Sequence, residues 1–80
     1  ASDKPLYEIA GFQLLARLFA NGQEPNERGI NEFLDQAAVA LQGDNMGIKH
    51  AAANAVMRFC DFGEDFEKIA RGALKGIFEI

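Results

Sequence analysis

The chain has no tryptophan, one cysteine, one histidine, two prolines and only eight basic side chains among its 80 residues. Each scarcity excludes something. The single cysteine, Cys60, cannot close an internal disulfide, and without metal-spaced cysteines nothing ties the chain to an oxidising compartment. One histidine, His50, and that one thiol leave too few nitrogen and sulfur ligands for zinc, which would have to be held largely by carboxylates against its usual preference. Twelve acidic groups against eight basic ones give a net charge of −4 and a pI near 4.8. That is the wrong sign for a generic grip on nucleic acid or anionic lipid, because phosphate binding needs clustered Lys and Arg. The imbalance lies in the front of the chain: residues 1–45 carry three basic and seven acidic side chains, residues 46–80 five of each. The first apolar stretch, Leu6 to Ala20, is too short and too interrupted to span a bilayer, and no basic n-region precedes it. A cytoplasmic protein without a membrane partner is expected.

What the chain has in quantity is hydrophobic residues, 49% of the total with seven Phe, enough for one small core. The apolar residues recur at helical spacing. In the first stretch Tyr7, Ile9, Phe12, Leu14, Leu15, Ala16, Leu18 and Phe19 cover a broad arc, with Gln13 and Arg17 in one narrow sector, so this helix is expected to be wrapped by later segments on several sides. Ser2 or Asp3 can cap it, Pro5 suits its first turn, and Asn21-Gly22 stops it. A second helix is expected from near Pro25, with Ile30, Phe33, Leu34, Ala37 and Leu41 on one face and Gly43 at its end. Asp44 or Asn45 can cap a third, whose Ile48, Ala52, Ala55, Val56, Phe59 and Phe62 share a face. Its many alanines predict a neighbour lying close against it.

Phe62-Gly63 breaks that run. Glu64, Asp65 and Glu67 then favour the positive end of a fourth helix, followed by Lys68, Arg71 and Lys75, with pairs Glu64–Lys68 and Glu67–Arg71 at four-residue spacing. Phe66, Ile69, Ala70, Ala73, Ile77 and Ile80 predict its buried face, and Gly72 and Gly76, four apart, predict one close crossing. The expected fold is therefore all-α: a single domain over residues 1–80 forming a compact bundle of four short helices, about 5–20, 26–42, 46–61 and 64–79.

No set of residues composes a catalytic or cofactor site. His50 and Cys60 are the only candidates for a Cys–His dyad, yet ten residues on one helix separate them by about 15 Å. Glu32 and Asp35 lie within a turn of each other, but on a polar face where solvated carboxylates keep their ordinary chemistry. Gly-Asp-Asn-Met-Gly at 43–47 lacks the Gly-Lys-Ser/Thr ending of a phosphate loop and the alternating oxygens and final Glu of a calcium loop, and reads as a capped turn. Catalytic, cofactor-binding and metal-ligating residues are accordingly none, and an enzyme is not expected.

The outer face of the third helix carries a second apolar stripe, Ala53, Met57 and Cys60, flanked by His50, Asn54 and Asp61. Met suits an adaptable binding surface, so His50, Ala53, Asn54, Met57 and Cys60 are the candidate partner-binding residues if this face is exposed. The chain closes on apolar side chains, making Ile77, Phe78 and Ile80 candidate dimer contacts.

Leu41-Gln42-Gly43-Asp44-Asn45, Lys49, Arg58 and the run Ala73-Leu74-Lys75-Gly76-Ile77 resemble the small enterobacterial biofilm-development and acid-resistance regulators of the YmgB/AriR type, as does Leu18-Phe19 before a polar loop. Asn21 to Arg28, with Pro25, departs from that family's pattern. The resemblance implies a helical, dimeric, non-enzymatic regulator that contacts other proteins, and it carries no catalytic residues with it. Residue pattern and resemblance thus lead to one expectation: a small regulatory or adaptor protein acting through protein–protein contact, as a homodimer. Two alternatives are a helical transcription regulator using Lys49, Asn54 and Arg58 on DNA, and a phage- or plasmid-type inhibitor of a host complex that offers its acidic first half to a basic site. Too few basic residues flank the would-be recognition helix to clamp phosphates. A titration with duplex DNA at low salt is therefore expected to show no complex; tight, salt-sensitive binding there would favour the transcription regulator.

Overall fold

The computed structural model describes residues 3–77, and over them the chain forms four α-helices: α1 (Lys4–Ala20), α2 (Glu27–Gln42), α3 (Met46–Cys60) and α4 (Glu64–Ala73). The all-α bundle expected from the apolar spacing is the fold, with no strand among the described residues. The stops and starts follow from backbone chemistry. Asn26 accepts a hydrogen bond from the Gly29 N–H at 2.8 Å and Asn45 one from the Ile48 N–H at 3.0 Å, so each satisfies an amide that its helix leaves free. Asp3 makes no such side-chain bond at the start of α1. After α1 the chain turns at Gly22, whose φ of +86° lies in the region open to glycine.

α3 is the axis of the molecule. It packs against α1, α2 and α4, and α1 has its backbone contact with α3 alone. Ala51, Ala52 and Ala55 are buried on it, and at its first turn a methyl added to Gly47 would sit 3.0 Å from Ile9 Cδ1. Small residues thus let α1 lie close, as the alanines predicted. Around the far end of α3 the Phe rings gather: Phe59 is completely buried, with ring centroids of Phe66, Phe33 and Phe19 at 5.3, 5.5 and 6.0 Å. Phe33 also meets Phe19 at 5.2 Å and Phe12 at 6.5 Å, both edge to face, so α1 and α2 meet through rings while no Cα of one comes within 8 Å of the other. Edge-to-face pairs add about 0.5–1.5 kcal/mol each beyond the area they bury.

Three expectations need correction. α1 is not wrapped: Phe12, Ala16 and Phe19 are buried, but Leu6, Tyr7, Leu14 and Leu18 face solvent, because α2 and α4 pack on α3 rather than on α1. α4 does not run to residue 79 but ends at Ala73. Leu74, 1% exposed, turns into the core, and Gly76 at φ +88° closes the following turn, with the Ile77 N–H donating to the Leu74 carbonyl at 3.0 Å. The face α4 buries is also rotated from the expected one. Ala70 and Leu74 are buried and Phe66 reaches Phe59, whereas Ile69 is 44% exposed, Ala73 is exposed and nothing approaches the position of a Gly72 side chain. Packing of the larger Phe66 and Leu74 sets the roll of the helix, and Gly72 marks no crossing. Of the two expected pairs on α4, Glu67–Arg71 forms; a further one, Arg28–Glu32 at 3.3 Å, forms on α2. Both are exposed and contribute little.

The shortest dimension is 19 Å, about two helix diameters, so every helix keeps a face toward solvent. Truncating the central ring, Phe59→Ala, is expected to cost about 3–5 kcal/mol, a large part of the stability of a domain this size. Asn45→Ala should cost about 1 kcal/mol. Urea unfolding followed by circular dichroism separates the two, and comparable losses would displace Phe59 from the centre of the core.

Candidate protein-binding surfaces

Two surfaces gather exposed apolar side chains. The first is the outer face of α3, where Met46, His50, Ala53, Met57 and Cys60 fall at spacings of four, three, four and three, one stripe along the helix. Of the sequence-designated residues, His50, Asn54 and Met57 are exposed, Met57 at 66%, while Ala53 and Cys60 are half-buried. Met46, also exposed, extends the stripe by a turn and was not among them. Of the residues named for DNA contact, Asn54 and Arg58 are exposed and Lys49 is half-buried. Ile77 is half-buried and packs on its own chain's core; Phe78 and Ile80 lie outside the described residues.

Cys60 sits where α3 passes α4. Burial pushes its thiol above the ordinary value, the Glu67 and Asp61 carboxylates push it further, and the Arg71 guanidinium opposes them. A thiol held protonated is a weak nucleophile and a poor metal ligand. His50 stands ten residues away on the same helix, and among the described residues no three His, Cys, Asp or Glu side chains cluster as a metal site.

The second surface was missed by sequence reasoning, because it belongs to two helices distant in the chain. Between α1 and α2 lies an open groove of about 1120 Å³, lined on the α1 side by Lys4, Tyr7, Glu8, Gly11, Phe12 and Leu15 and on the α2 side by Asp35, Gln36, Val39 and Ala40, with Asp3 at one end. Its existence follows from the core: the edge-to-face rings of Phe12, Phe19 and Phe33 hold the helices apart, and nothing in the described chain covers the space above them. Tyr7 is 74% exposed and Val39 73%. Leu14 and Leu18, exposed as well, continue the line of Tyr7 and Gly11 along α1 at the spacing of one helix face. Two signals could have found the groove: Val39, an apolar residue on the polar side of α2, and Gly11 within a strong helical run.

The class these features define is a small all-α bundle built on a central helix, with two apolar surfaces left open. No family model, curated protein or solved structure matches the chain. No helix of the described residues is long and apolar enough to cross a membrane.

The environment of Cys60 is open to test. Alkylation by iodoacetamide at pH 8 should be slower in the folded protein than in urea, and Glu67→Gln should speed it a few-fold in the folded state by removing a carboxylate and freeing Arg71 to face the thiolate. Unchanged or slower alkylation would show that Glu67 does not raise the thiol.

Proposed function

We propose that this chain is a small non-enzymatic regulator or adaptor of the cytoplasm that acts through protein–protein contact and works as a homodimer. The observation that carries the reading is the exposed stripe on α3. Solvent-facing Met46 and Met57 on the most internally buried helix of the bundle make a flexible, apolar surface of the kind that recognises protein. The stripe is also self-complementary. Ala53 lies near its middle and the larger Met, His and Cys side chains toward its ends, so two copies related by a two-fold axis at Ala53 could cross closely there and interdigitate on either side. Association would supplement a core that is small for an independent domain. The likeness of residues 41–77 to the YmgB/AriR type supports the same reading, since that family's regulators are helical and dimeric. Ile77 packs on its own chain's core, so the association surface proposed here is the α3 stripe.

The test is the oligomeric state. Sedimentation at micromolar concentration should show a dimer, and Ala53→Glu should shift it to monomer while leaving the helical circular-dichroism spectrum in place, since Ala53 is only half-buried. A wild-type protein that stays monomeric at high concentration would end the dimer part of this reading, and an Ala53→Glu dimer would move the interface off α3.

A further inference from the structure

We infer that the α1–α2 groove is the docking site for a basic amphipathic helix of a partner protein. The inference rests on the reading of this chain as a protein-binding regulator and names the chemistry of one partner. Three features of the groove lead to it.

The first is shape. The groove is an open trough and not an enclosed cavity, and its α1 wall from Lys4 to Leu15 runs for about 16 Å at 1.5 Å per residue. A trough walled by roughly three turns of α1 and, from Asp35 to Ala40, by about one and a half turns of α2 suits a third helix laid along α1, where an amphipathic ligand places its apolar face on the floor. Phe12, Leu15 and Ala40 supply apolar floor, and Tyr7 and Val39 stand at its edges.

The second is charge. The lining carries three carboxylates, Asp3, Glu8 and Asp35, against one ammonium, Lys4. Neither Glu8 nor Asp35 forms an ion pair among the described residues, whereas nearby Glu32 is neutralised by Arg28. A shallower depression that shares Asp35 continues along α2 past the Arg28–Glu32 pair to Glu27. An apolar floor between acidic edges calls for a ligand with an apolar stripe flanked by Lys or Arg. It also disfavours a second copy of this chain in the groove, since two such edges would repel.

The third is Gly11. It lies in the middle of α1 with ordinary helical backbone, and a methyl built on it would meet nothing within 4 Å. Neither a turn nor internal packing therefore requires glycine there, although glycine weakens a helix. What the missing side chain does is keep the α1 wall low in the middle of the groove, where a docked helix can approach closely.

The test uses the full chain and a labelled synthetic peptide of about 16 residues, long enough to cover the wall, with Leu on one helical face and Lys on both flanks. Fluorescence anisotropy should show micromolar binding that weakens as salt is raised, with a scrambled peptide of the same composition and an acidic peptide with Glu for Lys both binding far more weakly. Gly11→Leu should lower affinity roughly tenfold while leaving the melting temperature as high as wild type or higher, which no merely structural role of Gly11 would produce. Glu8→Lys combined with Asp35→Lys should exchange the preference, so that the acidic peptide binds better than the basic one.

Equal binding of the scrambled peptide, indifference to Gly11→Leu, or an unchanged preference after charge reversal would each overturn the inference. So would groove variants that abolish self-association, which would make a second copy the occupant, or tight binding of a fatty acid in place of the peptide. Running the titration also on Ala53→Glu separates the two proposals. Peptide binding by that monomer upholds the groove whatever becomes of the dimer, and loss of peptide binding by a well-formed dimer rejects the groove alone.

Discussion

The structure depends on one side chain being surrounded. Phe59 comes from the last turn of α3 and receives a ring from each of the other three helices: Phe19 from α1, Phe33 from α2 and Phe66 from α4. Helices of ten to seventeen residues are marginal in isolation, so their persistence depends on what they bury together, and at that junction all four meet. With alanines along the middle of α3, α1 can lie close to it, while α1 and α2 meet through the Phe12, Phe19 and Phe33 rings. The bundle is thus tight about α3 and open between α1 and α2.

That arrangement accounts for both exposed surfaces. A central helix touched by three neighbours spends one broad face on them, and the stripe from Met46 to Cys60 is what remains of its circumference. α1, held by α3 alone, spends its Phe12–Phe19 face inward and has no other helix to take Tyr7, Leu14 and Leu18. The groove is then the unfilled space between α1 and α2, with Phe12 in its lining. One packing decision, three helices gathered on a fourth, produces core, stripe and groove together.

The helices could be read in the sequence because each signal is local. Asn45 before Met46, Gly43 after Gln42 and the spacing of Ile30, Phe33, Leu34 and Ala37 need only neighbouring residues to be interpreted. What could not be read is which apolar residues would find a partner. Tyr7 and Phe12 are equally good core candidates by composition, and only the placement of α2 on α3 leaves one outside. The roll of α4 was hidden for the same reason: Phe66, Ala70 and Leu74 join the core cluster, while Ile69 and Ala73 stay exposed. The outer face of α3 was legible as a stripe, though its exposure was not, whereas the groove has no counterpart in the sequence beyond Val39 and Gly11.

Exposed apolar residues are common, and on a molecule two helices thick some are unavoidable. Leu6 and Ile69 are of that kind, with no feature around them that a partner would use. The groove differs because its parts agree with one another. Tyr7, Leu15 and Val39 come from two helices and share one concavity, the ionised groups around it are mostly of one sign, and the residue that would most readily fill it is glycine. Replacing that glycine with alanine would favour α1, and the added methyl would meet nothing, so glycine here runs against the stability of the isolated helix. Gly72 on α4 is equally open and lies in no groove; what distinguishes Gly11 is that its missing side chain falls in the wall of the α1–α2 groove, where it leaves room for whatever lies across it.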